Sequence, residues 1–146
     1  QTGEIIFEAL LKNARNEEER FIFASMLQLE TEAKAIMRPT LMRLGLSIEE
    51  NPLSREQGIK IGQTFQEISF EDLILNIKNS VESIYLPQYE ELATLITEED
   101  KECIWLAKFM GDHERALLLA SNNIIDKSKE HIKPVTDMLR FPIAYR

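Results

Sequence analysis

The sequence predicts an all-α protein, an antiparallel helical bundle of long helices with shorter helices flanking them. Three observations carry this. Apolar residues recur three and four positions apart along most of the chain, the spacing of one helix face. No run alternates apolar and polar residues in the manner of a strand. Three stretches approach or exceed about 25 residues and three are shorter, and long helices need long neighbours to cover their apolar stripes.

Taken in order, Gly3 to Ala14 sets Ile6, Ala9, Leu10 and Asn13 along one side of a short amphipathic helix. Asn16 is placed to cap the next helix, with Glu17, Glu18 and Glu19 in its first turn and a stripe running through Phe23, Met26, Leu27, Ala33, Met37, Leu41 and Leu44 to Gly45. Nearly 30 residues long, it would extend about 43 Å at 1.5 Å per residue. Pro39 lies inside it, so a kink around Ile36 to Arg38 or a break into two helices is expected. Leu46 to Leu53 reads as a loop, and Ser54 with Gln57 as a capping box opening a weaker helix from Arg55 to Ile68. Gly58 and Gly62 lie four apart on that helix and would let another helix approach closely; no strand precedes them and no Gly-Lys-Ser/Thr follows, so they do not make a nucleotide loop.

Ser69 with Asp72 starts another long helix, striped by Phe70, Leu73, Ile74, Ile77, Val81 and Ile84. Pro87 interrupts it before the pattern resumes at Tyr89, Leu92, Ala93 and Ile96, which predicts either a kinked helix or two helices meeting near Leu86. The clearest helix is Thr97 to Ile125, TEEDKECIWLAKFMGDHERALLLASNNII, with Thr97 as its cap and acidic residues in its first turn. Its apolar face carries Cys103, Leu106, Phe109, Met110, Ala116, Leu117 and Ala120, with His113 inside the stripe and Asp112, Glu114 and Arg115 mostly off it. Ser128 to Leu139 predicts a shorter helix, and the tail FPIAYR is expected to pack against the bundle.

With 146 residues the chain predicts a single domain, residues 1–146, around one core. Apolar residues make up 44% and charged residues 29%, a balance that excludes disorder. Twenty-five acidic residues against 17 basic give a net charge of -8. Such a surface disfavours nucleic acid and anionic membranes as partners, and no apolar run is long enough to span a bilayer. The lone Cys103 forms no internal disulfide, reads as a small buried hydrophobe, and fits a reducing, cytoplasmic setting. The N-terminal stretch lacks the basic-then-apolar pattern of a signal peptide; Gln1, not a methionine, opens the sequence, which leaves room for a short preceding segment or leader.

Three residues stand out as candidate ligands. Glu30 lies in the apolar stripe of the second helix. Glu19 points to nearly the same side about 16 Å away, too far to share one metal with it. Glu82 shares a side with Leu75, Leu86 and Tyr89, and with His113 it completes a set able to converge in a bundle core. The plainer reading carries more weight: a His on an apolar face is more often a hydrogen-bonded core residue, and an in-facing Glu often pairs with Arg or His. Tyr85 and Tyr89 read as rim aromatics and His131, near Glu130 and Lys133, as solvated. No nucleophile elbow is present, and two histidines leave a hydrolytic triad barely available.

The number and length of the helices, LQLETEAKAIMRPTLMRLGL around Glu30, and DHERALLLAS around His113 together resemble the ferritin-like superfamily of helical bundles, over most of Asn16 to Ile125. Catalytic members hold two metal ions with a Glu on each of two helices and Glu-x-x-His on each of the other two. The resemblance therefore implies iron or another divalent metal as cofactor. This sequence departs from the pattern, for Met110 stands three before His113 and Ser128 three before His131. Two functions follow: a bundle whose small polar pocket around Glu30, Glu82 and His113 binds a metal ion or small molecule, or a protein without a ligand site that acts by helix association, as a homodimer or within a larger assembly.

Overall fold

The computed structural model describes residues 2–144 and is all-helical, with no strand among them. Seven α-helices follow one another: α1 (Thr2–Lys12), α2 (Glu17–Arg43), α3 (Pro52–Phe65), α4 (Phe70–Ser80), α5 (Leu86–Leu95), α6 (Lys101–Ile125) and α7 (Lys133–Thr136), with a π-helical turn, Val81–Tyr85, between α4 and α5. The chain divides into two compact units, one taking in residues up to Phe70 together with the segment from Leu139 onward, the other Glu71–Met138.

In the first unit α1 packs against both α2 and α3. The two glycines of α3 make that approach possible: a methyl group on Gly58 would collide with the Ile5 side chain, and one on Gly62 with the Ala9 methyl. Asn16 caps α2, its side chain accepting from the Glu19 N–H at 2.9 Å. Glu19 answers by accepting from the Arg15 N–H at 3.0 Å, which ties down the chain entering the helix. Ile22, Phe23, Met26, Leu29 and Ala33 form the buried row of α2. The helix continues through Pro39 to Arg43 without a break. Gly45, in the left-handed region at φ 69°, then ends it: the N–H of Leu46 returns to the Leu41 carbonyl at 2.9 Å.

Three expectations in this unit need correction. The helix after the loop starts at Pro52 rather than Arg55, because Asn51 caps it through the Leu53 N–H at 2.9 Å and a proline fits the first helical turn, where its missing N–H costs nothing. On α1, Ile5, Phe7 and Leu10 are buried, whereas Ile6 and Ala9 are only half-buried. The tail, expected to pack against the bundle, leaves Phe141 72% exposed. Instead Glu32 holds the tail by its backbone, accepting from the N–H groups of Arg140 and Phe141 at 2.8 and 2.9 Å. Tyr145 and Arg146 lie outside the described residues.

In the second unit α4, the π-turn and α5 run on from Phe70 to Leu95 without an intervening loop. Pro87 explains the π-turn: its ring crowds the carbonyl four residues back, at Ser83, and a wider turn relieves that clash. The Leu86 N–H accordingly reaches five residues back to the Val81 carbonyl. The wider turn also advances each residue by a smaller angle, so the stripe Leu73, Ile74, Ile77 and Val81 is buried while Ile84, expected to continue it, is 48% exposed. Five residues, 96–100, then return the chain and α6 packs against α5.

The cap of α6 is Asp100, which accepts from the Cys103 N–H at 3.0 Å, and not Thr97. A helix starting at Thr97 would leave Ile96 alone to reverse the chain after α5. After Ile125 the helix closes at Lys127, a non-glycine residue at φ 56°, where the Ser128 N–H bonds the Asn123 carbonyl at 2.9 Å. The expected helix from Ser128 shrinks to Lys133–Thr136, with Pro134 in its first turn, where a missing N–H costs least. Of the apolar residues that periodicity assigns to it, Ile132, Val135 and Leu139 are buried and Met138 is only half-buried; Leu139 itself counts with the first unit.

Candidate functional site

The three sequence candidates fall in different surroundings. Glu30, on α2 of the first unit, is half-buried and its carboxylate lies against α1: a Cβ on Gly3 would stand 2.7 Å from the Glu30 Cδ. Next to it on the same two helices, Glu4 accepts from Lys34 Nζ at 2.9 Å and from the Thr31 hydroxyl at 3.0 Å. Burial works against the charge on Glu4, but the bonds from Lys34 and Thr31 and the lysine charge outweigh it, holding this carboxyl below its usual range. Burial also opposes the charge on Glu32, and there the backbone N–H groups of Arg140 and Phe141 prevail, so its titration is lowered as well. The stability that Glu32 lends the tail is thus present above the ordinary glutamate range and is lost as the pH falls through its depressed value.

His113 and Glu82 belong to the second unit. His113 is fully buried, at 0% exposure, as its place in the stripe predicts. Glu82 sits in the π-turn and is exposed, as is Leu75 on the side it was read to share. The carboxylate that meets His113 is Glu114, with Oε1 3.3 Å from the imidazole Nδ1 and the side chain nearly buried. The sequence sets Glu114 off the apolar face, yet Met110, Glu114, Leu117 and Ser121 are all buried, so the covered face widens from the stripe residues Met110 and Leu117 to take in Glu114 and Ser121. Adjacent residues on a helix do not face each other, so burial of both means that α6 is covered over a wide arc. The signal was present in that four-three-four spacing. Among the described residues no group of three or more His, Cys, Asp and Glu side chains is arranged to hold a metal ion. Cys103 is half-buried, which corrects its reading as a buried hydrophobe, and His131 is half-buried rather than solvated.

A different feature gathers at the end of the α5–α6 hairpin. None of the ten residues of α5 is buried, although α5 packs on α6 and carries Leu86, Tyr89, Leu92 and Leu95. Leu95, in its last turn, is 72% exposed and Leu92 is also open. Across the five-residue return, Trp105 in the second turn of α6 is 55% exposed and stacks on Phe109, ring centroids 5.5 Å apart. The same stretch of sequence is acidic: between Glu82 and Glu102 there are seven acidic residues and one basic, a formal charge of 1 - 7 = -6, with Glu90 paired to Arg115 of α6. Of these seven all but Asp100 are exposed. Further along α6, Arg115 pairs with Asp112 at 2.9 Å and Glu90 at 3.2 Å.

Comparison of the chain with protein-family models, with curated proteins and with solved structures finds no match.

Proposed function

We propose that this protein is an interaction module that binds a protein partner through the end of its α5–α6 hairpin. The observation that carries the reading is α5, a helix with leucines in two successive turns and no buried residue. A helix within a folded domain normally hides its apolar stripe, and a leucine side chain moved from water into a contact contributes about 1.5–3 kcal/mol. Leu92, Leu95 and Trp105 therefore offer a partner more binding energy than they give the isolated chain. Aromatic anchors beside aliphatic ones, ringed by polar residues, are what the centre and rim of an interface require. A reducing, cytoplasmic setting suits the module, because it leaves Cys103 as a thiol.

Site-specific photo-crosslinking tests this. A photoreactive side chain placed at Leu95 in the producing cells should give a discrete covalent adduct, and one placed at Leu119, also exposed but on the middle of α6, should not. Identical adducts from both positions, or none from Leu95, would remove the reading. A second reading, in which a polar site holds a metal ion or small molecule as the ferritin-like resemblance implies, is favoured by the buried His113 and Glu114. Elemental analysis of protein purified without chelator from cells supplied with iron, manganese and zinc decides it: near-stoichiometric metal supports that reading and empty protein ends it.

A further inference from the structure

The charge around the hairpin end selects among partners. Resting on the reading just given, we infer that the occupant of this surface is a basic amphipathic helix of another protein, and not a second copy of this chain. The apolar side chains Leu92, Leu95 and Trp105 sit within about two turns of the return 96–100, which itself contributes Glu98, Glu99 and Asp100. A two-fold dimer meeting through this end would set Glu91, Glu98, Glu99 and Glu102, all exposed, against their own copies. Like charges across an interface cost several kcal/mol, which a patch of a few apolar side chains does not offset. A helix with leucines on one face and Lys or Arg on its flanks meets both needs at once. Its leucines lie along the apolar side chains and its cations reach the carboxylates on either side, as in helix-in-groove recognition. Charge complementarity of this kind also accelerates encounter and makes it dependent on salt.

Trp105 is the only tryptophan, so its emission reports this surface alone. The purified full chain is titrated with two synthetic 18-residue helices that lack tryptophan, one of leucine and lysine and one of leucine and glutamate. Saturable quenching or blue-shift of Trp105 emission by the lysine peptide, weakened by added salt and absent with the glutamate peptide, is the expected result. The L92Q/L95Q pair, which keeps every charge, should weaken lysine-peptide binding at least about tenfold, since each 1.4 kcal/mol of lost apolar contact is a factor of ten. E98Q/E99Q should weaken it while flattening the salt dependence; helical content by circular dichroism guards against misfolding in both variants. Equal binding of both peptides, or lysine-peptide binding indifferent to L92Q/L95Q, overturns the inference. So does a concentration-dependent shift of Trp105 emission accompanied by dimer mass in sedimentation, which would make the occupant a second copy. A specific adduct from Leu95 with no peptide binding would sink the basic-helix assignment alone, whereas absence of both would sink the interaction reading with it.

Discussion

His113 and Glu114 are where single residues matter most. The imidazole is wholly buried and its Nδ1 meets a nearly buried carboxylate at 3.3 Å, so neither group can lose the other and turn to water instead. Removing one partner of such a pair leaves a buried polar or charged group uncompensated, at a cost of about 3–5 kcal/mol, whereas replacing both with apolar residues is often neutral. We therefore expect His113→Leu to destabilise by at least about 1 kcal/mol and by up to that full amount, with Glu114→Met restoring much of the loss in the double variant. Chemical denaturation of the wild type, both singles and the double gives the coupling energy. Additive losses would mean that the two side chains do not depend on each other. Half of this pair was legible in the sequence: the stripe through Phe109, Met110 and Leu117 marked His113 as buried, but a one-sided view of α6 left its neighbour outside. A helix covered over a wide arc buries residues beside its main stripe as well, and the glutamate is one of them.

Element boundaries were legible wherever one chemical signal stood alone. Asn16 had no rival as the cap of α2, and Gly45 none as its end, and both act as the residue types suggest. Thr97 and Asp100 compete, because each is a good cap and each is followed by residues that suit a first turn. What decides between them is the space needed to reverse the chain after α5, a tertiary requirement that no local pattern carries. Asp100→Ala should accordingly cost about 1 kcal/mol of stability and Thr97→Ala only a few tenths, measured by denaturant unfolding. The opposite order would place the helix start at Thr97. Pro87 and Pro134 show the same limit. The sequence marks that a proline disturbs a helix, but whether the chain breaks, widens into a π-turn as at Val81–Tyr85, or delays the helix start as before Lys133 depends on which neighbouring side chains are already anchored. The π-turn then rotated Ile84 outward, against the helical spacing that predicted it buried.

At the scale of the molecule, composition and periodicity established an all-helical chain with three helical stretches of 25 residues or more: α2, the run from α4 through α5, and α6. No described helix is long and apolar enough to cross a membrane. The surface was the part least open to sequence reading. Leu92 obeys the helical spacing of a buried stripe, and only the structure sets it among exposed residues. Apolar periodicity reports that a face will be covered without saying whether the chain or a partner covers it, and we propose that the hairpin end is a face left for a partner. That claim is tested most directly by the emission of Trp105 in the purified protein with nothing added. The account predicts a red-shifted, solvent-exposed spectrum that acrylamide quenches readily and that stays unchanged as the protein is concentrated. A blue-shifted emission shielded from acrylamide would contradict it, because the hairpin end would then already be covered.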